Sequence, residues 1–352
     1  MRSLILTAAA TLVVGLAACS DDPDSAGAAA LVSPEPTALA SRHLASGRVE
    51  SVLPLTRETD LPEGIALNRQ GDMFVGNRRL EGDRRVSEIL RITPDNSVSV
   101  FARLGPSTLE VDAGVLGLAV DRDGDLYAAF PSGDPATHGV WRIGRRGGMA
   151  RLSGSDGMVN PNALAFDPRG NLYVTDSRDG TIWRFPPAGP GALWLRDSLI
   201  APGPFGIGAN GIVFVPPATL FVASTDQGLI ARVPIRTDGS PGEPDVAAAG
   251  FELLVVDGLA ADVHGDLYAA IAGATILGTA PVVKVDPRTG TITPCTDELA
   301  RFDFPTSLAF GRGPRDHKSL YVVNAGLFPE DRPEAAPSVV RVGVGAPGAP
   351  IH

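Results

Sequence analysis

The sequence predicts an all-β fold, a six-bladed β-propeller with four-stranded blades, and the first reason is a repeated motif. In each copy a short apolar strand is followed by a polar turn and by a second strand rich in aliphatic and aromatic residues. One clear copy runs from Val256 to Ala270. The copies start 46 to 53 residues apart, at positions 63, 116, 162, 210, 257 and 306. A period of this length made only of strands is typical of propeller blades, so six copies predict six blades.

A second recurring element follows each copy and supports the same fold. It is a third strand in which one basic residue stands between two apolar residues. Because successive side chains of a strand point to opposite faces, the basic residue is expected to pack its stem between blades or to face solvent. The six examples are Leu90–Ile92, Trp141–Ile143, Trp183–Phe185, Ala231–Val233, Val283–Val285 and Val340–Val342.

The two ends of the repeat region predict how the ring closes. After the third strand of the sixth copy, residues 343–352 are rich in Gly and Pro and make a poor strand. An alternating segment, residues 48–53, stands before the first copy. We expect this N-terminal strand to complete the sixth blade, since such closure leaves no open strand edge at the seam.

The start of the chain is predicted to be a targeting segment. Residues 1–18 resemble a lipoprotein signal peptide, because Arg2 precedes an apolar run, residues 4–16, that is too short to span a bilayer. Small residues directly before Cys19 are typical of a bacterial lipobox, which implies cleavage before Cys19 and a lipid on its thiol. The alternative is an ordinary secretory signal that contains a cysteine. With Cys19 lipidated, Cys295 has no disulfide partner and is expected to be buried.

The remaining organisation follows from composition. Residues 19–46 are rich in Asp, Ala, Ser and Pro and predict a flexible tether, residues 47–345 the propeller, and residues 346–352 a C-terminal tail. The lipid would be the only membrane anchor, which places the protein in the bacterial cell envelope. A formal net charge of -10 offers no basic surface for phosphates, so we expect no nucleic-acid partner.

The residues just before the first strand of each copy are the candidate site. In a propeller this strand is innermost, so equivalent positions at its start form a ring about the central axis. Four of the ring residues carry oxygen donors of the kind that Ca²⁺ prefers. In chain order the ring is Glu63, Leu116, Asn162, Asn210, Asp257 and Thr306, and the four donors are Glu63, Asn162, Asn210 and Asp257.

The spacing of glycines agrees with this ring. Gly64, Gly211 and Gly258 follow three of the four donors and remove a side chain where neighbouring strands would approach most closely. Two other interpretations remain open. Polar residues also line the water-filled channel of propellers, and an ion at the ring can be purely structural.

These residues resemble the gluconolactonase and senescence-marker-protein (regucalcin-like) family, in the calcium-dependent phosphotriesterase-like superfamily. The resemblance covers about residues 47–345. In that family a Glu of blade one, an Asn of blade three, the Asn of an Asn-Gly pair in blade four and the Asp of an Asp-Gly pair in blade five meet at a central divalent cation. The matching residues here are Glu63, Asn162, Asn210 and Asp257.

Two departures from the family pattern concern the residues that follow these ligands. The first motif of the family often continues into a Trp, where this chain has Ile65. Its blade-three Asn commonly precedes Asp-Gly, where this chain has Ala163 and Leu164. Both departures leave the substrate class open more than the ion site.

The resemblance implies a metal-dependent hydrolase of lactones or related esters, in which water attacks a carbonyl polarised by a central divalent cation, most simply Ca²⁺. Asp257 is then the candidate general base, or else only a ligand of the ion. Two alternatives remain: a non-catalytic propeller that binds a ligand or a protein around a structural cation, and a strictosidine synthase-like protein. As a hydrolase, the protein would take a small-molecule lactone or ester as its substrate.

Weaker candidates lie in loops on the same face as the ring. His138 is a candidate second acid–base group, or a solvated loop histidine. Asp176 and Asp226 stand at equivalent strand ends, where they either bind substrate hydroxyls or cap the turns. The segment Asp121–Asp125 resembles a calcium loop, but it lacks the Glu at the twelfth position and recurs elsewhere with its acids replaced, so we interpret it as a turn.

Overall fold

The computed structural model describes residues 47–55, 61–81, 84–107, 114–328 and 336–352. The predicted signal peptide, Cys19 and the predicted tether lie outside these ranges. Within them, no helix has the length and apolar character needed to cross a membrane. Cys295 is fully buried and forms no disulfide with any described residue.

Six four-stranded antiparallel sheets form the described fold, which confirms the predicted six-bladed β-propeller. Blade one contains β2 Leu61–Leu67, β3 Met73–Glu81, β4 Arg84–Ile92 and β5 Val98–Ser107. Blade two contains β6 Gly117–Val120, β7 Leu126–Phe130, β8 Gly139–Ile143 and β9 Met149–Arg151. Blade three contains β10 Pro161–Phe166, β11 Leu172–Asp176, β12 Thr181–Phe185 and β13 Ala192–Arg196. Blade four contains β14 Ala209–Val215, β15 Thr219–Ser224, β16 Leu229–Pro234 and β17 Asp245–Ala249. Blade five contains β18 Val256–Ala261, β19 Leu267–Ile271, β20 Val282–Asp286 and β21 Thr291–Pro294.

Blade six is closed by the start of the chain, as predicted. Its own strands are β22 Pro305–Phe310, β23 Ser319–Asn324 and β24 Ser338–Gly343, and β1 Val49–Pro54 completes it. β1 runs antiparallel to β24, with Leu53 opposite Val339. Helical structure in the described residues is limited to α1 Ala274–Leu277 and to short 3₁₀ turns at Ser155–Gly157, Ser198–Ile200, Phe251–Leu253 and Leu299–Arg301.

The hydrophobic core is divided among the interfaces between neighbouring blades. Six clusters of buried side chains each join two adjacent sheets. The cluster at the closing seam packs Ile65 and Val75 of blade one against Val323 and Val339 of blade six. Each fully buried aliphatic side chain contributes about 1.5–3 kcal/mol, so the closing interface is held by side-chain packing as well as by β1.

The basic residue of the third strands has a role that the sequence pattern did not reveal. In several blades it pairs with the last residue of the turn between the first and second strands. Arg91 lies 2.8 Å from Asp72, and Lys284 lies 2.7 Å from Asp266. The side chain of Arg184 donates to the amide oxygen of Asn171 at 2.8 Å. These partly exposed pairs lie at the end of the propeller opposite the ring and stabilise it only slightly.

A β-bulge accompanies the ring position in five blades. The pairing of the first and second strands shifts register across Glu63, Asn162, Asn210, Asp257 and Thr306. A bulge adds a residue to one strand and re-aims the side chain there. In blade two, β6 begins directly after Leu116. At Glu63, Asn162, Asn210 and Asp257 the bulge accompanies a side chain that lines the central cavity, whereas the bulge at Thr306 does not.

Gly211 allows the inner strands of blades four and five to lie in contact. A Cβ atom at this position would lie 2.3 Å from the carbonyl oxygen of Asp257. Similar overlaps occur at Gly64, with the carbonyl oxygen of Leu116 at 2.5 Å, and at Gly258, with the carbonyl oxygen of Thr306 at 2.8 Å. The glycines that follow three ring residues are therefore required by close backbone approach.

We expect Gly211→Ala to destabilise the propeller by about 1–3 kcal/mol, because the strands of blades four and five must separate to admit the methyl group. Chemical denaturation of the purified protein measures this loss. Ala163 occupies the equivalent position in blade three. Ala163→Gly is the matched control and should cost no more than about 1 kcal/mol. An unchanged midpoint for Gly211→Ala would contradict the steric explanation.

Residues 347–352 cross the end of the propeller opposite the ring, and we call this segment the strap. The amide of Ala349 donates to the carbonyl oxygen of Ala261 at 2.9 Å, and Arg312 Nη1 donates to that of Ala349 at 2.6 Å. The ring of His352 packs edge-on against Phe214, with centroids 5.2 Å apart. The strap therefore contacts blades four, five and six.

Candidate functional site

A cavity of about 200 Å³ runs along the central axis and contains the candidate site. The four predicted donors, Glu63, Asn162, Asn210 and Asp257, all line it. They lie near the start of β2, β10, β14 and β18, so one end of the cavity is polar. Below them the walls are aliphatic and aromatic, and residues 349–352 of the strap line the far end.

The two asparagines are joined directly. Asn162 Nδ2 donates to Asn210 Oδ1 at 2.9 Å and also to Ser177 Oγ at 2.8 Å. Both hydrogens of the Asn162 amide are thereby used, which leaves its Oδ1 as the group available to a ligand. Asn210 Nδ2 donates to Thr225 Oγ1 at 3.0 Å, and its oxygen keeps a second lone pair.

The two carboxylates of the ring interact strongly with each other. Burial raises the pKa of Glu63 well above its usual range, and the charge of Asp257 raises it further, whereas Arg78 acts in the opposite direction. Burial raises the pKa of Asp257 to about 8, and a hydrogen bond from the side chain of Asn210 opposes the shift. Both groups keep some surface open to the cavity. Two carboxylates held this way favour a proton or a cation between them.

The donor set is one that suits a hard divalent cation. It consists of two carboxylates and two amide oxygens, the ligands that Ca²⁺ takes, and it contains no sulfur or imidazole. No group of three or more His, Cys, Asp or Glu side chains with metal-ligating geometry occurs among the described residues. A cation at this ring would therefore depend on Asn162 and Asn210 as well as on the carboxylates.

Hydroxyl groups hold the ring in place, and the sequence analysis did not identify them. Thr175 Oγ1 donates to the carbonyl oxygen of Asn210 at 2.7 Å, and Thr225 Oγ1 donates to that of Val256 at 2.7 Å. The first bond joins β11 of blade three to β14 of blade four, and the second joins the residue after β15 to β18 of blade five. The sequence does contain a pattern that indicates two such residues. A hydroxyl residue stands 15 positions after each ring asparagine, Ser177 after Asn162 and Thr225 after Asn210.

The other two ring positions differ from each other. Thr306 is fully buried and does not line the cavity, because its hydroxyl donates to the carbonyl oxygen of Glu63 at 3.0 Å. Leu116 does line the cavity and presents an apolar surface between Glu63 and Asn162. The polar donors are therefore distributed unevenly around the axis.

His138 lies away from the lining of the cavity. Its Nδ1 lies 3.0 Å from the carbonyl oxygen of Ser132, and its Nε2 lies 2.9 Å from that of Met158. His138 thus connects a loop of blade two to the segment that leads into Asn162.

Asp176 and Asp226 each bind backbone amides of the loop that precedes an inner strand. Asp176 accepts from the amides of Val159 and Asn160 at 2.6 and 2.8 Å. Burial raises the pKa of Asp176, although these amides oppose the shift. Asp226 accepts from the amides of Gly203, Phe205 and Ile207 at 2.7, 3.1 and 2.9 Å. This geometry supports the turn-capping alternative for both residues.

We expect Asp226→Asn to lower the stability of the protein by about 1–3 kcal/mol, because an amide nitrogen would face backbone donors. Thermal unfolding measures the loss, and calorimetric titration with Ca²⁺ should give an affinity within about threefold of the wild type. Asp238→Asn, in an exposed turn of the same blade, is the control. Loss of substrate binding with unchanged stability would instead favour a role in binding substrate hydroxyls.

No known family profile matches the sequence, and no curated protein matches it. Solved structures do match the fold. A gluconolactonase from Xanthomonas campestris is 17% identical, with a TM-score of 0.56, over 85% of this chain and 99% of that one. The calcium-binding protein regucalcin from Agrobacterium tumefaciens is 17% identical, with a TM-score of 0.60, over 86% and 96%. The chain has the fold of gluconolactonases and regucalcin.

A third structure shows that this fold is not tied to one chemistry. Virginiamycin B lyase from Staphylococcus aureus is 14% identical, with a TM-score of 0.54, over 84% of this chain and 99% of that one. At such identities the similarity concerns the architecture, and function has to be argued from the site. The structural neighbours agree with the family resemblance identified from the ring residues.

Proposed function

We propose that the protein is a divalent-cation-dependent hydrolase of lactones or related esters, with Ca²⁺ as the preferred ion. The observation that carries the proposal is the convergence of Glu63, Asn162, Asn210 and Asp257 on one end of a single cavity. The gluconolactonase and regucalcin neighbours support the same reaction class and the same kind of ion.

The proposed roles of these residues follow from their surroundings. Glu63, Asp257 and the oxygens of Asn162 and Asn210 would hold the cation. When bound, a divalent cation supplies a positive charge that polarises a substrate carbonyl and stabilises negative charge on its oxygen. Its charge would also oppose the effects of burial and of the charge of Asp257, which together raise the pKa of Glu63.

Asp257 is the candidate base for the attacking water. Burial raises the pKa of this carboxylate to about 8, so in the protein without a cation it binds a proton more readily than an ordinary aspartate. Asn210 orients it through a side-chain hydrogen bond. Aliphatic and aromatic side chains line the cavity beneath the ring.

A panel of lactones and simple esters, assayed with Ca²⁺ and then with a chelator, tests the proposal. We expect hydrolysis of at least one lactone that is lost with the chelator and restored by added Ca²⁺. Absence of turnover across the panel, together with a chelator effect on thermal stability alone, would favour the binding propeller with a structural cation.

We also propose that the protein is exported and lipid-anchored in the bacterial cell envelope. The support is the apolar run that ends in Leu16-Ala17-Ala18-Cys19. Mass spectrometry of the protein from membranes should find a diacylated Cys19, and Cys19→Ser should release the protein from the membrane fraction. A soluble wild-type protein that retains residues 1–18 would contradict this.

A further inference from the structure

A second cavity, of about 380 Å³, lies where the start of the chain closes blade six, and we call it the seam cleft. Three of its lining residues are basic, namely Arg315, His317 and Lys318. Among the described residues that line it, only Glu50 is acidic. Its volume falls in the range of sites that bind small molecules, about 300–1,000 Å³.

Strand pairing places the seam cleft at the end of the propeller opposite the ring. Ser319, the first residue of β23, lies opposite Gly343, the last residue of β24, and both line the cleft. At the other end of β23, Asn324 lies opposite Pro305, the residue before the ring residue Thr306. The cleft and the ring are therefore separated by the length of β23, about 17 Å.

The acidic groups of this region already have donors of their own. Glu50 Oε2 lies 2.6 Å from Arg341 Nε and accepts a hydrogen bond from Ser319 Oγ at 2.9 Å. Asp316, in the turn that borders the cleft, accepts from the hydroxyl of Tyr321 at 2.9 Å. The charge of Glu50 is thus balanced by Arg341.

Arg315 and Lys318 carry the positive charge that remains. Both residues are exposed, and neither side chain forms an ion pair or a hydrogen bond with a residue that the structure describes. Arg48 is also exposed, and its carbonyl oxygen accepts from the amide of Gly343 at 3.1 Å, so its backbone lies beside the cleft. The net charge of -10 conceals this local basic surface, which strand pairing assembles from residues far apart in the sequence.

The described chain starts beside the seam cleft. β1 begins at Val49, which pairs with Val342, and it runs toward the ring end, where Pro54 pairs with Ser338. The predicted tether, residues 19–46, therefore enters the propeller at the end that holds the cleft. It is 28 residues long, and a flexible chain of that length has its ends about 30 Å apart. A lipid on Cys19 keeps the cleft within this distance of the membrane surface.

We propose that the seam cleft binds the phosphate groups of anionic phospholipids, so that the propeller docks on the membrane with the ring facing away from it. The inference goes beyond the proposed hydrolase activity, and it rests on the proposed lipid anchor for the choice of a lipid phosphate over a free one. Each cationic side chain near an anionic membrane surface strengthens binding about fivefold. The anchor raises the effective concentration of headgroups at the cleft, so a few such contacts suffice.

Sedimentation of the full chain with vesicles tests the proposal. Every sample carries Cys19→Ser, which removes the lipid, and any membrane affinity of residues 1–18 is shared by all variants. Vesicles of phosphatidylcholine with about 30% phosphatidylglycerol are compared with vesicles of phosphatidylcholine alone. We expect binding to the anionic vesicles to be about tenfold tighter at about 0.1 M salt, and about 0.5 M salt should remove the preference, because salt screens exposed charges.

Substitutions in the cleft locate the surface responsible. The double variant Arg315→Gln, Lys318→Gln should reduce the preference for anionic vesicles about tenfold. Arg315→Lys keeps the charge and should retain the preference within about twofold. Arg178→Gln is the matched control, because it removes an exposed arginine from the ring end of blade three, and it should also stay within about twofold. Thermal unfolding of each variant checks that it is folded.

Equal binding to anionic and neutral vesicles overturns the proposal. A preference that survives the double substitution overturns it as well, and so does one that Arg178→Gln reduces equally. Calorimetric titration with inorganic phosphate distinguishes the source of the anion. Phosphate binding that depends on Arg315 and Lys318, without a preference for anionic vesicles, shows a site for a free anion and overturns the assignment to lipid.

The proposed lipid anchor can fail separately, since none of these samples carries the lipid. The absence of a diacyl group on Cys19 in protein from membranes contradicts the anchor and leaves the vesicle measurements as they are. A preference for anionic vesicles that is lost in the double variant and kept in Arg315→Lys and Arg178→Gln supports the seam cleft as the docking surface.

Discussion

Replacement of Asp257 by asparagine is expected to lower hydrolysis of a lactone substrate by about a thousandfold. The substitution keeps the shape of the side chain and removes one of the two negative charges at the ring. Loss of a general base typically costs a factor of about 100 to 10,000 in rate. Loss of a charged ligand also weakens the binding of the ion. Steady-state hydrolysis at saturating substrate measures the effect. Asp286→Asn is the control, because Asp286 is a partly exposed carboxylate elsewhere in blade five.

Calcium titration of the same variant distinguishes the two roles considered for Asp257. If Asp257 acts chiefly as the base, Asp257→Asn binds Ca²⁺ within about tenfold of the wild type but still loses about a thousandfold in hydrolysis. If it acts chiefly as a ligand, affinity and rate fall together. Hydrolysis within tenfold of the wild-type rate would show that neither role holds and would remove Asp257 from the site.

Without a divalent cation, the protein is expected to become less stable as the pH rises from about 4 toward 8. Burial raises the pKa of Asp257 to about 8, and the pKa of Glu63 is raised in the same direction. Between the ordinary carboxyl range near 4 and the raised value, the folded state keeps a proton that the unfolded state has released. Raising the pH therefore favours unfolding, by at most about 1.4 kcal/mol per pH unit for one proton.

Added Ca²⁺ should reverse this trend, because the ion binds the ionised carboxylates of the folded state alone. At a concentration 100 times its dissociation constant, a ligand adds about 2.7 kcal/mol to the stability of the folded protein. Denaturant titrations with chelator and with Ca²⁺, at pH 5 and pH 8, measure both effects. The gain from Ca²⁺ should be larger at pH 8, and Asp257→Asn should flatten the pH dependence. Equal gains at the two pH values would contradict the assignment.

The number of blades and the closure of the ring were predictable because each blade repeats one pattern. The motif around Val256 recurs in every blade, and the segment before the first copy is the outer strand of the sixth. The candidate ring was predictable for the same reason, since Glu63 and Asp257 occupy equivalent positions of the repeat.

The residues that support the ring were not predicted, because their contacts cross from one strand or blade to another. Ser177 and Thr225 lie on loops that the alternating pattern does not describe, and their partners are 15 residues away. The roles of Asp226 and His138 depend on which backbone amides and carbonyls face them. Such contacts follow from the folded geometry rather than from periodicity.

The strap, residues 347–352, contributes the lining at one end of the axial cavity, and the ring lies at the other end. Because His352 packs against Phe214 and Ala349 bonds to Ala261, the shape of that end is set by the last residues of the chain. The space beneath the ring is bounded by residues 349–352, at the end of the cavity away from the two carboxylates. Substitutions in the strap therefore offer a way to change which molecules fit without altering the ring.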